Sequence, residues 1–179
     1  MYVDPDPRCE DEGWETAASV LVPVATTAVA WGAFMATYGV ERYLDYAAML
    51  GEHGALLQFV VMAGVVAVHG ALHAVAFVAV GALSVRDITV DLVLRPENGR
   101  GVRACVLPAV PMRRWAYHLG VAVPGVFLGA LPVVVALVTG NPLAMFVGVV
   151  GLLTTPGDVQ VLLDAWRHRE TVPGAISPG

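Results

Sequence analysis

Residues 68–77 read VHGALHAVAF and place His69 and His73 four positions apart, inside an apolar run over 55–83 that holds no Asp, Glu, Lys or Arg. A run of that length exceeds the ~20 residues that cross ~30 Å of hydrocarbon as a helix. A helix also satisfies its own backbone groups in lipid without closing a barrel. On a helix, positions i and i+4 share one face, so the two imidazoles project side by side. The stretch therefore reads as a membrane-spanning helix with two ionisable side chains part-way along it.

Three more runs of this kind accompany it, over 16–38, 115–139 and 143–166. Each is long enough to span. Pro124 and Pro132 fall in the third and Pro156 in the fourth. Kinks are expected there, with neighbouring helices supporting the freed backbone groups. The composition agrees: of 179 residues, 57% are hydrophobic and 14% charged, where soluble domains are about a quarter charged. Mean hydropathy is +0.69. The expected fold class is an all-α membrane protein with four transmembrane helices, and its first partner is the lipid bilayer.

The ten basic residues are all arginine. Arg86, Arg95, Arg100, Arg103, Arg113 and Arg114 lie between spans two and three, Arg167 and Arg169 follow span four, and Arg8 precedes span one. In a four-helix topology these share one side, against Arg42 on the other. By the positive-inside rule both termini and the middle segment are expected on the cytoplasmic side of the cell membrane. The net charge of −5 comes largely from MYVDPDPRCEDEGWE. This 1–15 segment is expected as an acidic cytoplasmic tail, without the basic region of a cleavable signal peptide. No basic patch suggests nucleic acid. Cys9 and Cys105 lie far apart with no metal-type spacing, so no disulfide framework is expected.

Between spans two and three, VRDITVDLVLRPENGRGVRACVL alternates at Ile88, Val90, Leu92 and Leu94, turns at PENGRG and resumes at Val102. The pattern predicts a cytoplasmic β-hairpin over about 86–106. An isolated hairpin is marginal in water, so it is expected to pack on the bundle or on the membrane surface. The organisation is thus a tail over 1–15, a transmembrane domain over 16–167 and a flexible tail over 168–179.

An ionisable residue inside a span is costly and points to function. His69, His73 and Asp158 lie well inside the expected spans, while Asp164 and His118 sit near span ends. Gln58, Met62, His69 and His73 fall close to one stripe of span two, which should face the bundle. His69 and His73 lie 14 and 18 residues past Ala55, and Asp158 lies 15 past Leu143. At ~1.5 Å per residue those are similar depths, roughly 21–27 Å and 23 Å. The three side chains can therefore meet in one layer. Two imidazoles, a carboxylate and a position for water make the donor set of a catalytic zinc site. Polar contacts between helices, or a proton or ligand site, use the same residues. His53 and His168 read as solvated, Arg113 and Arg114 as interfacial anchors, His118 as within reach of the site, and Gly148 and Gly151 as packing residues.

Taken in order, these residues resemble the putative zincin peptidases, small multi-pass membrane proteins related in plan to site-2-type intramembrane metalloproteases. The likeness covers HGALHAVAF, the hairpin, VLPAVPMRRWAYHLGVAVPGVFLGALPVVVALVTGN and PGDVQVLLDAW, roughly 55–167. It implies that His69 and His73 are zinc ligands and that Asp158, in the Gly157-Asp158 pair, is the third. The family pattern has glutamate where this chain has Gly70. In such enzymes that glutamate takes a proton from the attacking water and passes it to the leaving amine, help typically worth ~10²–10⁴ in rate. Glycine transfers no proton, and Glu52 lies outside span two, so no catalytic residue is assigned.

Three readings follow. One is a zinc-binding pseudoprotease or regulator that holds a transmembrane or extended peptide partner, with the hairpin edge as a docking strand. Another is a weakly active intramembrane zinc peptidase with a displaced base, with Asp158 as the alternative. The third is a non-proteolytic bundle, a small transporter or structural protein with a His/Asp polar network.

Overall fold

The structure, a computed structural model, describes residues 2–3, 17–81, 83–94, 102–108 and 112–167. Most of the expected acidic tail, the hairpin turn and the whole of 168–179, with His168, lie outside the described residues. Helix α1 (Ala17–Leu50) is broken at Gly39, whose φ of 78° and ψ of 161° suit a residue without Cβ. A 3₁₀ turn, Gly51–His53, leads into α2 (Gly54–Gly81). Together they form a 65-residue apolar stretch, Ala17–Gly81. A straight helix of that length would run ~100 Å, about three times the hydrocarbon thickness. The breaks divide it into shorter apolar pieces.

Helix α3 (Arg114–Pro124), a π-helical turn over Gly125–Ala130 and α4 (Leu131–Thr139) follow one another without interruption. Among the described residues, this 26-residue stretch and Ala17–Gly81 are the two helices long and apolar enough to cross a membrane. Helices α5 (Pro142–Leu153) and α6 (Pro156–Arg167) pass the same test as a pair, bent by 46°. Expected span ends at 38, 83 and 139 fall within two residues of Gly39, Gly81 and Thr139. Large apolar side chains remain exposed along these helices, among them Leu21, Val29, Leu56, Phe59 and Val138. A water-soluble monomer rarely leaves such surface uncovered, and lipid is the solvent that suits it.

Strands β2 (Ile88–Leu94) and β3 (Val102–Pro108) pair antiparallel, with Ile88 opposite Pro108 and Leu94 opposite Val102. The β3 strand packs against α2. Two residues of the expected tail are structured: Tyr2–Val3 (β1) pairs with Met112–Arg113 (β4). A two-residue strand carries no periodicity to read, so this pairing had no sequence signal.

The prolines explain the bundle's irregular places. A proline withholds the N–H that the carbonyl four residues earlier would accept in a helix. Pro124, Pro132 and Pro156 therefore leave the carbonyls of Gly120, Leu128 and Leu152 without their regular donors. Thr155 Oγ1 donates to Leu152 O at 2.7 Å. Gly151 lies so close to Leu128 that an added Cβ would overlap its carbonyl. The neighbouring Gly148 and Gly129 make the same kind of contact, their Cβ positions falling 2.7 Å from Val133 Cγ2 and 2.8 Å from Leu152 Cδ2. Small residues let these backbones approach closely. The third freed carbonyl, on Gly120, serves the site described next.

Two core clusters result. Ala30 and Phe34 of α1 meet Val133, Ala136 and Met145 in one. Phe77 of α2 meets Met112, Ala116, Tyr117 and Val121 in the other, with Val161 and Leu162 of α6 alongside.

Candidate metal centre

Helix α2 turns inward along Val65, His73, Ala76 and Phe77, while Met62, expected on the same seam, is exposed. His69 and His73 project from this inward side. Asp158 stands in the first turn of α6, just after the bend from α5. The bend brings the three together: His69 Nε2 lies 3.2 Å from Asp158 Oδ2, and His73 Nε2 lies 3.1 Å from Asp158 Oδ1. The two Nε2 atoms are 3.2 Å apart. The side chains of His69, His73 and Asp158 are only 12%, 10% and 17% exposed.

The outer hydrogen bonds decide where the imidazole protons sit. His73 Nδ1 lies 3.1 Å from Gly120 O, the carbonyl freed by Pro124. A carbonyl only accepts, so Nδ1 carries the proton and donates it. His69 Nδ1 lies 3.0 Å from Thr154 Oγ1. That hydroxyl donates its one proton to Gly151 O at 2.7 Å, so it accepts from His69 Nδ1–H. In the neutral rings both Nε2 lone pairs then face inward, towards each other and towards a carboxylate. Asp158 Oδ2 is buried and has no hydrogen-bond donor among the described residues.

Three lone pairs turned on one point call for positive charge. A proton between two of them leaves the third unmatched, whereas a divalent cation meets all three. The spacing agrees: a tetrahedral zinc site with ~2.0–2.1 Å bonds has ligand–ligand edges of ~3.3 Å. One atom from each residue lies within 4.8 Å of the others, the separation expected of a metal-binding group. The donor set and the orphaned carboxylate oxygen thus fit zinc, with His69, His73 and Asp158 as the residues to hold it. Thr154 and Gly120 O orient the two histidines from behind, as partners of metal ligands do. Phe77 stacks on His73 with ring centres 6.1 Å apart, and Tyr117 stacks on Phe77 at 5.9 Å.

The sequence-predicted residues divide cleanly. His69, His73 and Asp158 converge. His118 is not among the group, and its Nε2 is buried without a hydrogen-bond partner among the described residues. His53 is exposed beside Glu52. The Asp164 side chain lies outside the described residues. Gly70 is half-buried next to the centre, and among the described residues a Cβ there would meet only Val106 Cγ2 of β3, at 3.8 Å. Neither Thr154 nor the Gly120 carbonyl was among the residues expected at the centre.

Residues 62–172 match the sequence model of a family described as putative zincin peptidase. The matched stretch contains all three convergent residues and covers more than half of the chain. No curated protein and no solved structure matches it.

Proposed function

The chain belongs to the putative zincin peptidase family, and from that premise we propose a zinc-binding, metalloprotease-like membrane protein that holds a peptide segment and cuts it slowly or not at all. The observation that carries the reading is the inward set of three lone pairs beside Gly70. The set supports metal binding, and glycine at position 70 supplies no proton-transfer group. Zinc held there would polarise a carbonyl or activate water. The residues supply its orientation: Gly120 O and Thr154 hold the imidazoles, and the bend at Pro156 holds the carboxylate.

In this reading the chain crosses the membrane four times, through the first part of α1, α2, α3–α4 and α5–α6, with both ends and the β2–β3 pair on the cytoplasmic side. The arginine distribution supports that orientation. The β2–β3 pair then offers an edge to an extended or membrane-embedded peptide. Val90 is 68% exposed on β2, so Val90→Pro is expected to abolish crosslinking to a peptide partner while bound metal stays. Crosslinking that survives would remove the strand as a docking edge.

The deciding experiment is elemental analysis of the detergent-purified protein. The expected result is about one zinc per chain, lost in His69→Ala, His73→Ala and Asp158→Ala. A folded, zinc-repleted wild type without zinc would overturn the reading and leave a polar His/Asp network between helices. With zinc established, Gly70→Glu is expected to raise peptide cleavage by ~10² or more. Cleavage by wild type at the rate of the glutamate variant would replace the pseudoprotease reading with an active peptidase using another base.

A further inference from the structure

Gly70 is a glycine that neither its backbone nor its packing against the described residues requires. The positive-φ glycines among the described residues are Gly39, Gly51 and Gly140. Elsewhere in the bundle, Gly120, Gly129, Gly148 and Gly151 have no room for a Cβ. At Gly70 a Cβ would make one ordinary van der Waals contact among the described residues, with Val106. On the helix, position 70 is ~60° round from His73 and ~100° from His69. The missing side chain therefore leaves space on the flank of the centre, and among the described residues Val106 of β3 is the neighbour that faces it.

Charge gives the gap a preference. A divalent cation held by two neutral imidazoles and one carboxylate keeps one unit of positive charge. Asp158 is the one carboxylate in the convergent group among the described residues. In largely apolar surroundings an unbalanced charge is expensive, and a further anion nearby would offset it. Aliphatic Val106 favours an anion on an apolar stem over a bare inorganic one.

We infer that the gap at Gly70 is a receptor site for a carboxylate the chain does not itself provide, borne by a bound peptide or by a small free acid. The inference rests on the cation-binding reading of His69, His73 and Asp158. Propionate is the natural probe, because its chain reproduces the glutamate side chain that Gly70 lacks. Seated there, it would also stand where a base could accept a proton from attacking water and return it to a leaving amine, itself unchanged.

The test uses full-length protein loaded with cobalt(II), whose visible spectrum reports ligand geometry. Propionate is expected to perturb the spectrum saturably, and propionamide, its neutral counterpart, is not. Gly70→Leu and Val106→Phe fill the gap from opposite sides, and each is expected to weaken propionate at least ~10-fold with cobalt still bound. Retained cobalt certifies the fold of each variant. Gly70→Ala stands in if either fails to load. A short peptide ending in glutamate, compared with its C-terminal amide and with propionate, separates a peptide-borne acid from a free one. A propionate response that is absent, shared by propionamide or unchanged in the gap-filling variants would overturn the receptor site alone. Wild type that never loads cobalt would instead remove the cation site beneath it, and the receptor with it.

Discussion

One kind of hydrogen bond, a side chain donating to a backbone carbonyl, appears in both halves of the bundle with different consequences. In the α1–α4 half, Tyr38 Oη donates to Leu137 O at 2.8 Å and Arg42 Nε donates to Gly140 O at 3.2 Å. Leu137 lies in the last turn of α4 and Gly140 is the left-handed residue that caps it, where helical donors run out. There the bond closes a helix end. In the α2–α3 half, His73 donates to Gly120 O at 3.1 Å. Because imidazole has two nitrogens, that bond fixes a lone pair on the opposite side of the ring. A capping contact in one place is an aiming device in the other, and only the donor's chemistry distinguishes them.

The contrast can be broken most severely at the glycine contacts. Gly151→Leu drives a side chain into the Leu128 carbonyl, and backbone has little freedom to retreat. A cost of ~3 kcal/mol or more is expected, read as loss of monodisperse folded protein after detergent extraction. A normal yield would mean that α5 and the π-helical turn separate easily. Thr154→Val is the intermediate case. It keeps the shape but removes the acceptor for His69 Nδ1–H, and zinc affinity is expected to fall ~10–100-fold with the bundle still folded. Competition with a chelator measures this, and an unchanged affinity would strip Thr154 of its orienting role. Tyr38→Phe is the mildest. It removes one capping bond, should lower thermal stability by about 1 kcal/mol, and should leave zinc binding unaltered. A change in zinc affinity there would show that the two halves are coupled.

The convergent residues were legible because ionisable side chains inside long apolar runs stand out in the sequence. His69 and His73 at helical spacing, with Asp158 at matching depth, need no fold to be noticed. The strands at Ile88–Leu94 and Val102–Pro108 announced themselves by alternation. Thr154 was visible but ambiguous, since a threonine one turn before a carboxylate serves many ends. The Gly120 carbonyl is a backbone group, and side-chain patterns are silent about it. Its trace was nonetheless present in Gly120-x-x-x-Pro124, a spacing that frees one carbonyl. Which neighbour takes that carbonyl depends on how α2 lies against α3. The β1–β4 pairing and the π-helical turn depend likewise on packing between segments distant in sequence.

The convergence of three lone pairs also bears on how the molecule unfolds. With both imidazoles neutral and no counter-charge, the three lone pairs facing one another would work against the packing of α2 on α6. A cation that binds the folded chain alone enters the unfolding equilibrium as a reactant, adding about 2.7 kcal/mol at a hundredfold excess over its Kd. The melting temperature then becomes an ion gauge: titrating metal into the chelated protein should raise it along a binding curve. Such a curve would rank zinc against its competitors before any substrate is in hand.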